Sequence, residues 1–257
     1  MKIRFLIVFA FLAATVFSPF SAAALQKQQR DKSLQAKATS PPAANVSKPK
    51  DSSKSNNSKT VEKDSSSAIE RAVLDEINLL RKNPQDYIKY LEEYKKLFKG
   101  NTVYLPTYVR FETSEGTAAV DEAIEFLKTA PAAPLLSFSN GLNKAAAQQL
   151  ADLIENSSLD HAAKDGSNLG ARLAKYGAVG SKSGENISMF AELPRNMVLF
   201  MLVDDGVKSR MHRKNLLSPN FKVVGISYGK GKTGEGLCVL DFADSFNESI
   251  RGGTREL

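Results

Sequence analysis

Residues 221–243 read FKVVGISYGKGKTGEGLCVLDFA. Two short segments rich in β-branched and aromatic residues flank the Gly-containing KGKTGE, the signature of a β-hairpin. Upstream the period changes. A helix is expected from about Pro194 through Val198, Phe200 and Leu202 to the acidic pair Asp204 and Asp205. From Asn140, Leu142, Ala146, Leu150, Leu153 and Ile154 repeat at helical spacing, and this segment is the expected central helix, with Ala145 and Ala147 permitting close packing. Further back, Ser67-Ala68-Ile69-Glu70 forms a capping box that opens a helix with Ile69, Val73, Ile77 and Leu80 on one face. Asn83-Pro84 ends that helix and starts a second, whose stripe of Tyr87, Tyr90, Leu91, Tyr94, Leu97 and Phe98 runs to Gly100. Residues 101–116 are weakly patterned, and a short helix with Val120, Ala123, Ile124 and Leu127 precedes the break at Pro131 and Pro134. Helices fill the first two thirds and strands the last, which predicts an α+β fold with helices packed on a small antiparallel sheet.

Charge narrows the function classes. The 257-residue chain carries 35 Lys plus Arg against 28 Asp plus Glu, but after residue 66 the count is 24 of each. The basic excess therefore belongs to the N-terminal segments, and the folded part has no general affinity for phosphate backbones, so no nucleic-acid partner is expected for it. Residues 1–24, MKIRFLIVFAFLAATVFSPFSAAA, place Lys2 and Arg4 before an apolar run and end in a small-residue A-x-A site, as in a secretory signal peptide cut near Leu25. The apolar run is shorter than the ~20 residues that span a bilayer, so no transmembrane segment is expected after cleavage, and the protein is expected to be extracellular or periplasmic. Residues 25–66 are Ser, Lys, Gln, Asn and Pro with little to bury; they read as a disordered basic linker, either simply solvated or a tether to an anionic envelope polymer, lipid or membrane. Residues 67–257 form the expected domain, a monomer by default for its size. The lone Cys238 sits between Leu237 and Val239 and reads as a buried core residue in a strand.

Both histidines of the chain stand in polar, Gly-containing contexts outside the apolar stripes. His161 lies in SSLDHAAKDGSNLGARLAKYG and His212 in DDGVKSRMHRKNLLSPNF, both expected on loops at element ends, where sites tend to be carried. Between them SGENISMF brackets Glu185 with Gly184 and Asn186. Two imidazoles with one or two carboxylates suit a divalent transition metal such as zinc, although no spacing forces them together as H-E-x-x-H does. Nothing completes a hydrolytic nucleophile motif: there is no G-x-S-x-G, and the one Cys is in a strand.

The ordered series HAAKDGS, RLAKYG, GENI and DDGVKSRMHRKNLLSPNFKVVGISYG resembles the CAP superfamily (cysteine-rich secretory proteins, antigen 5 and pathogenesis-related 1 proteins), most of all its bacterial secreted branch. The similarity runs over about residues 68–246. It implies an α-β-α sandwich with an open cleft lined by two His and two acidic residues. By motif match His161, Glu185 and His212 are three of these, and the fourth is Asp204 or Asp205. If a metal is bound, the resemblance implies that His161 and His212 ligate it, with Glu185 and the Asp as a third ligand or a base for bound water; without one, the carboxylates orient the imidazoles. Asn186 and Ser188 are candidates to support the cluster, Asn186 equally as a loop cap, while Arg213 and Asn215 are expected to pin the His212 loop to backbone carbonyls.

The sequence departs from its relatives in having no Trp on the helix that carries Phe200, Met201 and Leu202, in offering Asp where a Glu is usual, and in lacking the eukaryotic disulfides. Residues 101–131, including Phe111–Gly116, look like an insertion able to shape one side of the cleft. Two functions follow from the resemblance. The first is a secreted binding module for a divalent metal, lipid or peptide; the second is a metal-dependent extracellular hydrolase of a peptide, lipid or wall polymer.

Overall fold

Ser67 opens the first helix, α1 (Ala68–Lys82), through the expected capping box: its hydroxyl oxygen accepts from the Glu70 N–H, and the Glu70 carboxylate accepts from the Ser67 N–H. The computed structural model describes residues 67–106, 110–156, 159–189 and 191–248, all within the compact unit Thr60–Leu257. The expected leader, residues 1–24, and the basic linker, residues 25–66, lie outside the described residues, as do the last nine of the expected domain. Pro84 starts a short 3-10 turn to Tyr87, and α2 (Ile88–Lys95) follows. This helix is shorter than its apolar stripe. Phe98–Lys99 form β1, which pairs with β2 (Thr102–Tyr104), and β2 with β3 (Arg110–Glu112), all antiparallel. The stripe persists across the break because Tyr94 and Phe98 still meet edge to face, ring centroids 5.2 Å apart, after the chain has left the helix.

Helix α3 (Thr117–Thr129), strand β4 (Ser137–Phe138) and helix α4 (Asn140–Asn156) come next, then α5 (Leu169–Ala174), β5 (Gly177–Val179) and β6 (Ser183–Met189). Helices α6 (Pro194–Val203) and α7 (Met211–Leu217) precede β7 (Val223–Lys230), β8 (Gly236–Ala243) and β9 (Phe246–Glu248). The predicted hairpin is β7–β8. It forms the middle of a four-stranded sheet in the order β4-β7-β8-β6, with β5 and β9 paired separately. The main sheet is mixed rather than wholly antiparallel, because β4 runs parallel to β7.

Alternation along β8 builds the layers. All eight of its residues are buried. Leu237 and Val239 join Ile187 of β6 against Ala146, Leu150 and Leu153 of α4, and Ala243 meets Leu142, Ala145 and Leu173. The intervening Cys238, Leu240 and Phe242 face the opposite way, with Val224 and Ile226 of β7, into the main core built from α1, α2, α3, α6 and α7. The result is the expected α-β-α sandwich. The buried alanines of α4 are Ala145 and Ala146; Ala147, expected to share their role, is exposed. The described parts of 101–131 contribute to the main core, which takes Val103, Leu105, Val120, Ala123 and Leu127 from them.

Helix α4 lies hard against β7 at Gly225. A Cβ built there would come within 2.0 Å of the Leu142 carbonyl carbon and 2.2 Å of the Asn143 nitrogen, both backbone atoms. Gly225→Ala therefore forces helix and sheet apart and is expected to cost about 2–3 kcal/mol. Urea denaturation checks this, and a midpoint within error of the parent would show that the layers yield freely.

Candidate functional site

Strand β6 is one edge of the main sheet, and its residues alternate between the two layers. Glu185 points to the α4 and α5 side and Asn186 to the α6 and α7 side, where its amide donates to the His212 carbonyl oxygen at 3.0 Å and contacts the Met201 sulfur. Each histidine arrives from a different layer. His161 lies on a loop after α4, as expected; Gln149, itself fully buried in α4, holds that loop by donating to the Asp160 carbonyl oxygen at 2.7 Å. His212 lies in the first turn of α7, not on a loop: MHRKNLL closes two turns too short to register as a periodic pattern. The two imidazole centroids stand 6.4 Å apart.

A carboxylate orients each ring. His161 Nδ1 is 2.8 Å from Glu185 Oε1, and His212 Nδ1 is 2.7 Å from Asp204 Oδ1. Ionised carboxylates only accept, so both Nδ1 atoms carry the proton and Nε2 is the lone-pair nitrogen of each neutral ring. The hydrogen bond to Glu185 raises the His161 imidazole above its ordinary value against the opposing effect of burial. The His161 side chain is 56% exposed and that of His212 19%, while both carboxylates are buried.

The choice between the two aspartates is settled by backbone. Asp204 ends α6 in the left-handed region, φ 57°, where Asp is among the few non-glycine residues tolerated. From there its carboxylate reaches the first turn of α7 and accepts from the His212 N–H at 2.9 Å and from the Arg213 N–H. The shorter side chain reaches His212 because of this position. Asp205 turns away and accepts from the backbone N–H groups of Ser114 and Glu115.

Of the supporting residues, Arg213 pins the turn as expected, donating to the carbonyls of Leu202 at 2.6 Å and Val203 at 3.0 Å, and also to Glu122. Asn215 donates to the Asn186 side chain at 2.9 Å and to the Glu185 carbonyl at 3.3 Å. Asn186 is fully buried in a strand, so the alternative of a loop cap fails. Ser188 is also buried in β6, but its hydroxyl has no partner among the described residues and does not join the cluster. Where a Trp is usual, Met201 and Leu202 are buried and Phe200 packs on Tyr94 and Phe111.

Two buried groups escaped the sequence reading. Arg172 of α5, fully buried, pairs with Glu185 Oε2 and lies 3.8 Å from Asp241 Oδ1 of β8. Burial and the neighbouring Glu185 charge push the Asp241 carboxyl well above the usual carboxylate range. RLAKYG contains the arginine, but nothing local marks it as interior, since its partners lie in β6 and β8.

The cysteine-rich secretory protein family, CAP, matches residues 74–242. The chain belongs to this family. No curated protein matches it. Among solved structures, an outer surface protein from Borrelia burgdorferi is 21% identical over 42% of this chain and 76% of that one, with a TM-score of 0.36. An extracellular protein containing an SCP domain from Bacillus anthracis str. Ames is 23% identical over 43% of this chain, with a TM-score of 0.34; the match spans 34% of the Bacillus chain.

Within this CAP fold the carboxylates act as orienters. Glu185 and Asp204 have their oxygens on imidazole Nδ1, on Arg172 and on backbone N–H groups, and among the described residues no group of three or more His, Cys, Asp or Glu is arranged around a metal position. Both oxygens of each carboxylate are thus engaged, and the two imidazoles are the side chains of the cluster left to offer a lone pair. Their chemistry fits a metal nonetheless, because a carboxylate on Nδ1 is the usual support of a ligating imidazole.

Proposed function

We propose that this CAP protein is an exported binding module whose cleft takes a divalent cation, zinc being the best match to imidazole, through Nε2 of His161 and of His212. The remaining coordination positions go to water or to a donor atom of a lipid, peptide or envelope-polymer ligand. One observation carries the reading: both Nδ1 atoms are held by buried carboxylates at 2.8 and 2.7 Å, so both rings present a lone pair at Nε2. Two imidazoles on one ion, with Zn–N bonds of about 2.1 Å, have centroids roughly 5–6 Å apart, within a small adjustment of the 6.4 Å separation. Export is supported by the leader-like residues 1–24 and by the family's secretory description. Among the described residues no helix is long and apolar enough to cross a membrane. The basic segment 25–66 is the natural tether to an anionic surface, and the domain acts as a monomer. Hydrolysis is less favoured, because a base beside metal-bound water is required and both carboxylates are engaged on Nδ1.

Calorimetric titration of the purified protein with zinc tests this. About one ion per chain is expected, and affinity should fall as pH is lowered through the raised titration range of His161, since protonated imidazole cannot ligate. His161→Ala together with His212→Ala is expected to abolish binding with the far-ultraviolet dichroism unchanged. Equal affinity in parent and double variant would overturn the metal reading.

A further inference from the structure

The turn between α6 and α7 contains two left-handed residues that are not glycine, Asp204 at φ 57° and Arg210 at φ 49°. They are the only such residues among those described. Strained backbone of this kind persists where its surroundings over-determine it. Arg210 shows what does so here. Its guanidinium donates from Nη1 to the Asp204 carbonyl at 2.7 Å and to Glu115 Oε1 at 2.7 Å, and from Nη2 to Glu115 Oε2 at 2.7 Å and Glu122 Oε2 at 2.6 Å. Nε completes the fork on Glu122 at 3.0 Å. The clasp is reciprocal: Glu115 also accepts from the Gly206 N–H at 2.7 Å, and Asp205 accepts from the N–H groups of Ser114 and Glu115. The whole turn is thereby tied to the start of α3, in a segment that contributes no residue to the histidine pair.

We propose that Arg210, clasped by Glu115 and Glu122, is a positioning residue for His212. The chain of contacts is continuous. Arg210 fixes the Asp204 main chain through its carbonyl, and the Asp204 side chain fixes both the N–H and the Nδ1 of His212. Arg213, one residue beyond His212, donates to the same Glu122, so this carboxylate binds the chain on either flank of His212. Arginine suits this place because its planar fork meets two carboxylates and a carbonyl at once, which lysine cannot do. The effect on zinc rests on the binding reading above; the effect on the His212 ring does not.

The decisive variant is Arg210→Gly, which removes the guanidinium and also relieves the left-handed strain, so that fold stability is spared as far as possible. Glu115→Gln with Glu122→Gln weakens the same clasp without changing side-chain volume and guards against misfolding of the first. Nitrogen NMR of the metal-free protein reads the His212 tautomer, and calorimetry reads zinc affinity. In the parent His212 is expected in the single tautomer protonated at Nδ1. In both variants a mixture of tautomers is expected, with zinc affinity about tenfold lower or more, as for other supports of ligating histidines. Arg195→Ala, which removes an ion pair with Glu76 between α1 and α6, is the control and should leave ring and affinity unchanged. An unaltered His212 tautomer in both clasp variants would overturn the proposal. If the parent binds no zinc while the tautomer still shifts, the metal reading falls and the positioning role stands.

Discussion

Arg172→Met is expected to destabilise the protein by about 3–5 kcal/mol. For a fold of this size that lowers the melting temperature on the order of 10 °C. The guanidinium and the Glu185 and Asp241 carboxyls are all essentially inaccessible to water, and two carboxyl groups stand beside one cation. Burial and the Glu185 charge favour the neutral form of Asp241, which leaves Glu185 as the charge that Arg172 balances. Removing Arg172 strands the Glu185 charge in the interior and loosens its hold on His161. Thermal denaturation measures the loss, and adding Glu185→Gln should restore much of it by removing the orphaned charge. A cost below about 1 kcal/mol would show that water compensates the pair and that the triad is not tightly closed. Asp241→Asn supplies the sign test. A carboxyl raised on folding contributes stability that is intact below its unfolded value and is lost as pH rises through the folded one. The Asn variant should therefore lose less stability than the parent between mildly acidic and neutral pH.

The second large effect is expected at Arg81, the last-turn arginine of α1. Its side chain is fully buried and donates to four main-chain carbonyls: Pro134 at 2.7 Å, Leu216 at 2.6 Å, and Ser218 and Phe221 at 3.0 Å each. No carboxylate partners it in this set, and burial lowers its guanidinium to about 10. Arg81→Ala leaves four acceptors short of a charged donor and opens a cavity. At about 1.5 kcal/mol per charge-assisted bond, offset in part by relief of guanidinium desolvation, a loss of about 4 kcal/mol or more is expected. Arg81→Lys should recover little, since an ammonium cannot present the fork. Urea denaturation of the two variants decides, and near-parental stability of the lysine variant would refute the assignment.

How much of this was readable in advance divides by range. The capping box at Ser67, the stop at Asn83-Pro84, the helix ending at Asp204 and the hairpin of residues 221–243 are local patterns, and each forms where it was expected. The small sheet of β1, β2 and β3 was missed because Phe98 continues a helical stripe by contact alone. The histidine pair and Glu185 were reached through ordered motifs rather than spacing, and the structure brings them to one sheet edge. Asp204 and Asp205 are equivalent as letters; the left-handed φ of the first separates them. Arg81, Arg172 and Asp241 were invisible for a common reason. A charged residue in a short helix or strand reads as surface, and only long-range partners, assembled by the fold, make it interior.

The complete burial of β8 gives its single thiol a particular usefulness. Cys238 lies in the middle of the sheet with apolar neighbours, and burial pushes it up to about 12, so almost no thiolate exists at neutral pH and no reagent reaches it. In an oxidising medium such a group neither pairs between chains nor decays by oxidation while the sheet is closed. It becomes reactive only when β8 is uncovered. The protein thus carries an internal gauge: the rate at which a dilute thiol reagent labels the native molecule reads out the fraction of molecules whose sandwich stands open.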